Sequence, residues 1–386
     1  MKFLNKSKQT KTIMLAVSLC IMFVVIFFVI NTSHVAKEPL PNPTPEGLPR
    51  WRGFNLLEKF QVQPDNLTEI APIWDYDNQP FQEKDFQMIS EWGFNYVRLP
   101  MSYLCWIKDG DPTVFREEIL EEIDQAVKWG EKYNIHVSLN FHRAPGWCIN
   151  DPGKESERIW DNDSALNLCA QHWAMFAERY KGIPNTHLSF DLLNEPSTTP
   201  EKYYKVAKRL CDAIRAVDPN RLIICDGNNT GNTPVPELIP LKVGQSGRAY
   251  APGHLTHYKA SWAGLSMDIF DTYMPEWPGY EPYGGKKYWD RDVLYEKSLK
   301  PWIDLKNQGV GVHIGEWGVF NATPKHVTLA FMEDVLTILK DNNIGWALWN
   351  FRGTFGILDS NRADVVYEDY QGHRLDRDML TLLQKY

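Results

Sequence analysis

The chain has 386 residues, a formal net charge of −8 and 13% aromatic residues, including fifteen Trp and seventeen Tyr. An acidic balance with no basic stripe argues against nucleic acid as a partner, because nothing is available to neutralise phosphates. Six Cys without a CxxC spacing argue against a zinc or thiol-redox site, and the five beyond residue 50 leave at least one thiol unpaired.

Lys2, Lys6, Lys8 and Lys11 precede residues 13–30, eighteen residues without a charge. As a helix this run would span about 27 Å, close to the hydrocarbon thickness of a bilayer. Residues 1–33 read as a cytoplasmic lysine-rich stub with a transmembrane signal anchor, or alternatively as a cleaved signal peptide. In either case the lysines stay inside and the remainder is exported, membrane-anchored through residues 13–30 or secreted. Pro39, Pro41, Pro43, Pro45 and Pro49 make residues 34–50 an extended, semi-rigid linker. The folded domain is expected over residues 51–386, with a monomer anticipated.

Strand-like and helix-like segments then alternate. Residues 52–56 open the series, followed by an amphipathic helix over 86–92 and a strand over 96–100 carrying Arg98. A helix with apolar spacing covers 116–133, and a strand over 136–141 ends in His142. The next helix, 164–180, has Ser164 as its expected N-cap. His187–Pro196 is an apolar run between prolines that delivers Asn194 and Glu195 at its C-terminal end, where Pro196 stops the strand. A helix over 200–217 starts on Pro200, and residues 222–225 form a buried strand. Residues 253–258 are the sixth strand candidate. A helix over 293–308, kinked at Pro301, precedes the strand 312–318 with Glu316. The series closes with a helix over 327–340, a strand over 345–351 and a short helix over 377–384. Eight strands with intervening helices imply parallel pairing with right-handed crossovers, and a closed α/β (β/α)8 TIM barrel. No GxGxxG follows the first strand, which counts against a dinucleotide-binding sheet.

Parallel barrel strands put their C-terminal ends at one face, so Arg98, His142, Asn194, Glu195, His257 or Tyr258, Glu316 and Trp349 gather there. A lone Glu after a buried strand could merely cap a helix. Two in matching contexts, across one barrel mouth, fit glycoside hydrolysis, in which one carboxyl protonates the leaving oxygen and the other attacks or activates water. Arg98 near Glu316 would keep that carboxylate charged, while a less polar surround or the other glutamate's charge would raise the pKa of Glu195. No HExxH, no HxH on a strand and no carboxylate cluster suggests a metal, and no cofactor is implied.

Leu193-Asn-Glu-Pro196, Gly315-Glu-Trp-Gly318 and Tyr96-Val-Arg-Leu-Pro100 resemble the signature stretches of glycoside hydrolase family five, the cellulase-type (β/α)8 enzymes. Asn140-Phe-His-Arg143 and Trp349–Asp359 resemble its third and eighth strand ends. The resemblance runs from about residue 52 to residue 383. It implies Glu195 as general acid/base and Glu316 as nucleophile. It further implies Arg98 as the residue orienting and charging Glu316, Asn194 as partner of the sugar 2-hydroxyl, His142 as a substrate hydrogen-bonding residue and Trp349 as the platform under the cleaved sugar. Retention of configuration follows, and with it carboxyl groups about 5–5.5 Å apart instead of the roughly 6.5–9.5 Å of inverting enzymes.

The family usually carries His-x-Tyr at the sixth strand, so that both side chains point inward with period two. Here His257 and Tyr258 are adjacent, and only a bulge would turn both to the site; His254 is a further candidate. Asn228 and Asn229, after the fifth strand, could reach the site or serve a turn, and Asp191 reads as structural. The aromatic-rich insertion 259–290, with Trp262, Phe270, Tyr273, Trp277, Tyr280, Tyr283, Tyr288 and Trp289, reads as a cleft wall or as a loop with its own small core; Trp147 is a similar cleft candidate.

The expected activity is hydrolysis of a β-linked glucan, endo-β-1,4-glucanase-like. β-Mannan, xyloglucan and β-1,3-glucan are alternatives within the same chemistry. A carbohydrate-binding protein on a retired barrel would have no reason to keep both glutamates, Arg98 and Asn194. A membrane-tethered scaffold would need nothing from the cleft. With no separate binding module in view, a soluble or accessible glycan is expected as the partner.

Overall fold

The computed structural model describes residues 38–62, 79–150, 155, 157–282 and 287–386. Eight parallel strands close a barrel: β1 (Arg52–Asn55), β2 (Tyr96–Ser102), β3 (His136–Arg143), β4 (Leu188–Asp191), β5 (Ile223–Asp226), β6 (Gly244–Ala249), β7 (Val312–Trp317) and β8 (Gly345–Leu348). Gly53 pairs with both Tyr96 and Ala347, so β1 joins β2 to β8 and seals the ring. The strands are buried almost throughout because helices cover the outside and the interior is filled with side chains.

The helices are α1 (Glu83–Glu91), α2 (Glu117–Tyr133), α3 (Asp163–Arg179), α4 (Pro200–Val217), α5 over 291–306, α6 (Lys325–Asp341) and α7 (Arg377–Lys385). Their ends follow local chemistry. Asn134 closes α2 in the left-handed conformation that Asn tolerates. The cap of α3 is Asn162, not Ser164: its Oδ1 accepts from the backbone of Ser164 at 2.8 Å and of Ala165 at 3.0 Å. Pro200 starts α4, with Thr199 as its N-cap. In α5 a π turn at Tyr295–Leu299 lies immediately before Pro301, where the missing N–H interrupts the regular ladder.

Two boundaries differ from the sequence reading. Residues 40–50, expected as linker, belong to the compact unit that runs from Leu40 to Tyr386. Pro45 accepts the backbone N–H of Gly311 at 2.7 Å, and Leu48 is buried against Gly244 and Gly311 at the strand starts. The prolines extend the chain, but its apolar residues dock. The sixth strand is Gly244–Ala249, whereas 253–258 contains a one-turn helix, Gly253–Thr256. Gly-Gln-Ser-Gly-Arg-Ala carries no apolar run, so hydrophobic pattern could not mark it. The apolar segment 13–30 lies outside the described residues; no described helix is long and apolar enough to cross a membrane. All five described cysteines are buried.

Candidate active site

Glu316 sits where β7 slips register against β6 between Ile314 and Glu316, and its partner across the ladder is Arg248. A bulge there re-aims the side chain toward the barrel mouth. Glu316 Oε1 accepts from Arg98 Nη1 at 2.6 Å and lies 2.9 Å from Arg248 Nη2. The Tyr250 hydroxyl approaches Oε2 at 3.4 Å.

Glu195 follows β4 by four residues and has a positive φ of 49°. A left-handed non-glycine residue costs about 1–2 kcal/mol and persists only where neighbours over-determine it. Asp226 Oδ2 accepts the Glu195 backbone N–H at 3.0 Å, and the Trp147 indole donates to the Asn194 carbonyl at 2.7 Å. These bonds fix the turn and aim the carboxyl into the cleft, where Arg248 Nε donates to Glu195 Oε1 at 3.0 Å. Burial, and then the negative charge of Glu316, push the Glu195 carboxyl up to about 7 against the opposing pull of Arg248. A carboxylic acid is therefore available near neutrality beside an arginine-bound carboxylate, the division of labour that glycoside hydrolysis requires.

Two fully buried guanidinium groups organise the rest. Arg98 donates through Nε to Asp191 at 2.7 Å, through Nη1 to Asn55 Oδ1 at 3.1 Å, and through Nη2 to Asn194 Oδ1 at 2.9 Å. Arg248 donates through Nη1 to Asp226 Oδ1 at 3.1 Å, through Nη2 to Asp226 Oδ2, and through Nη2 to Asn194 Oδ1 at 3.0 Å. A buried charge is tolerable only when paired and hydrogen-bonded in this way. Burial, and then the charge of Asp226, raise the Asp191 carboxyl to about 7. Since both arginines converge on Asn194 Oδ1, its Nδ2, which has no hydrogen bond among the described residues, is left to donate to a ligand.

The site opens into a cleft of about 800 Å³ whose lining includes His142, Trp349, Tyr250, His257, Trp262 and Phe355. Trp349 lies one residue past β8 and stacks on His142, with centroids 5.6 Å apart and 18° between planes. Burial, followed by the charge of Arg98, holds the His142 imidazole well below its usual pKa, so it is neutral.

Arg98, His142, Asn194, Glu195, Glu316 and Trp349 thus gather at one mouth, and His257 lines the same cleft. Tyr258 does not: it is buried against Phe270 and donates its hydroxyl to the Tyr273 carbonyl at 3.0 Å. His254 is buried beside Tyr273. Trp147 is a buried clamp on Asn194, and Asn228 ties the turn to Thr198 through both its amide atoms. The insertion serves both expected ends. Trp262 is 54% exposed in the cleft, whereas Phe270 and Trp289 are buried. Tyr283 lies outside the described residues.

Arg248, Tyr250 and Asp226 were missed by the sequence reading. Arg248-Ala-Tyr250 supplies the period-two pair expected of the sixth strand, with arginine in the histidine position. An arginine two residues before a tyrosine was the available signal, in a stretch whose polarity otherwise reads as a solvent-facing loop. Asp226, at the end of β5, was legible as a strand-end polar residue like the others.

Among the described residues no cluster of His, Cys, Asp and Glu could hold a metal ion. A model of the cellulase family, glycosyl hydrolase family 5, matches residues 57–354. Endoglucanase C of Acetivibrio thermocellus is 28% identical over 310 residues, covering 74% of this chain and 88% of that protein. A solved structure described as a glycoside hydrolase is 38% identical, with a TM-score of 0.77, and covers 87% of this chain and 99% of its own. Endoglucanase Cel5A of the hyperthermophile Thermotoga maritima shares the fold at 20% identity, with a TM-score of 0.68 and 86% and 96% coverage.

Proposed function

The chain belongs to glycosyl hydrolase family 5, a retaining glycosidase family, and from that premise we propose that it is an endo-acting β-1,4-glucanase working outside the cytoplasm. The observation that carries the catalytic reading is the split between two carboxyls at one guanidinium. Glu195 is raised to about 7, while Glu316 is held between Arg98 and Arg248.

Glu316 attacks the anomeric carbon as Glu195 gives its proton to the departing glycosidic oxygen. The C1–O bond breaks, and a neutral glycosyl ester forms on Glu316. Glu195, now a carboxylate, takes a proton from water; the water oxygen bonds to C1, and Glu316 is released. Two inversions give net retention. Arg98 orients Glu316, Asn194 Nδ2 donates to the sugar 2-hydroxyl, neutral His142 hydrogen-bonds the substrate, and Trp349 forms the floor under the sugar being cleaved. Tyr250 lies against Glu316 Oε2 and steadies the nucleophile.

The endoglucanases among its relatives support a β-1,4-glucan backbone and internal cleavage. The exposed ring of Trp262 in the cleft supplies a further surface for a chain longer than one sugar. Export rests on the lysine-flanked apolar run 13–30.

The test is hydrolysis of carboxymethyl cellulose, glucomannan, xyloglucan and laminarin by the chain and by Glu316→Gln, with the first-formed anomer followed by NMR. Release of β-anomeric ends from carboxymethyl cellulose, abolished in the variant, is the expected result. Exclusive cleavage of another polymer moves the substrate to mannan, xyloglucan or β-1,3-glucan. Binding of a glycan without cleavage refutes the enzyme reading.

A further inference from the structure

We propose that Arg248 is a positioning residue that remains paired with whichever catalytic glutamate carries the negative charge, through both halves of the reaction. This rests on the two-glutamate reading of the site. Arg98 touches Glu316 but has no bond to Glu195. Arg248 reaches both: Nε donates to Glu195 Oε1 at 3.0 Å, and Nη2 lies 2.9 Å from Glu316 Oε1. The guanidinium cannot swing toward one glutamate at the expense of the other, because both nitrogens of its fork are fastened to the two oxygens of Asp226.

The fold makes room for this side chain. A Cβ on Gly231 would stand 2.5 Å from Arg248 Cγ, and Gly231 has a φ of +76° that glycine alone adopts without strain. Glu316 and Arg248 are also register partners across β7 and β6, so the ladder itself sets their approach.

The charge balance of the reaction gives the arrangement its meaning. In the free enzyme Glu316 is the carboxylate and Glu195 the acid. On glycosylation the Glu195 proton leaves with the aglycone oxygen, and Glu316 becomes a neutral ester, so one negative charge has moved to Glu195. On deglycosylation water returns the proton to Glu195, and the C1–O bond to Glu316 breaks, restoring its carboxylate. The pair carries one negative charge at every stage, and Arg248 contacts both places it can be. The other charged or titratable groups packed near Arg248 are Asp226, Asp191 and Arg98, Tyr250 one residue past the end of its strand, and His142 and His313, which burial keeps neutral. A histidine in this position, as in the family's usual pair, would be a shorter donor unable to span both carboxyls while chelating Asp226.

The measurement is the pH dependence of kcat/KM on an aryl β-cellobioside for wild type, R248M and R248K. Both limbs of R248M move upward by about one pH unit or more, because each carboxyl has lost a nearby positive charge. R248K, which keeps the charge, brings the limbs back toward wild type. If R248M does not fold, R248Q, a neutral side chain that still donates, is expected to show the same upward displacement. Lower activity with both limbs unmoved in R248M or R248Q overturns the inference while leaving the enzyme assignment intact. A wild-type chain inactive on every aryl β-glycoside overturns the reading of the site, and this inference with it.

Discussion

The two ends of the barrel are built from the same strands and have opposite chemistry. At the N-terminal end Trp51 stacks on His136 at 4.0 Å and on Tyr96 at 5.2 Å, and His313 meets Trp51 edge-on at 5.9 Å. Burial lowers His136 to about 3 and His313 well below its usual range, so this end is aromatic and uncharged. At the C-terminal end the same three strands carry Arg98, His142 and Glu316 into a cluster of two arginines and four carboxyls. Two residues along β2 separate Tyr96 of the plug from Arg98 of the site. Period two puts both inside the barrel, so polarity here is a matter of height along the axis. Gly345 shows the same economy at the lower end: a Cβ there would stand 2.6 Å from the Trp51 backbone.

If the ends are functionally separate, substitutions should divide between them. The largest effect is expected from Glu316→Gln, a loss of about 10⁴-fold or more in kcat/KM with little change in melting temperature. Glu195→Gln should lose about 10²–10⁴-fold on a poor leaving group but far less on a dinitrophenyl glycoside, which departs without protonation. Trp51→Ala, at the opposite end, should cost about 3–5 kcal/mol in chemical denaturation while kcat per folded molecule stays unchanged. A fall in kcat there would break the division.

A smaller effect sharpens the contrast from a third place. Glu58 is buried beyond β1 with neither carboxyl oxygen hydrogen-bonded among the described residues, and burial raises it to about 7. Its folded pKa exceeds the unfolded value, so the folded state holds its proton more tightly. The stability this contributes is complete below about pH 4.5 and is lost as pH rises through about 7. Glu58→Gln should therefore flatten the decline in stability between pH 5 and 8, by up to about 3 kcal/mol, without moving the pH profile of kcat/KM. A parallel shift of that profile would tie Glu58 to the site. The smallest effect is expected from Tyr258→Phe, which removes one hydrogen bond remote from the cleft, worth about 1 kcal/mol of stability, and leaves KM as it was.

The sequence by itself determined seven of the eight strands and the helices between them, because buried apolar runs such as Leu222–Cys225 and periodic helices such as α2 announce themselves without a partner. It also singled out Glu195 and Glu316, which the structure brings to one cleft, because both stand at the ends of recognisable strands. What only the tertiary structure decided were features that depend on several segments at once. The strand Gly244–Ala249 has no apolar pattern of its own and is a strand because β5 and β7 bond it on both sides. Arg248 is therefore visible as a site residue only when Asp226, Glu195 and Glu316 arrive from three other segments. Leu48 docks although its neighbours read as linker, because the strand starts at Gly244 and Gly311 offer a surface without side chains. Tyr258 turns away from the cleft because Phe270 and Tyr273, brought back by the insertion, bury it. Hydrophobic pattern is a property of one segment, whereas pairing, burial of charge and the direction of a loop side chain are set by what packs against it.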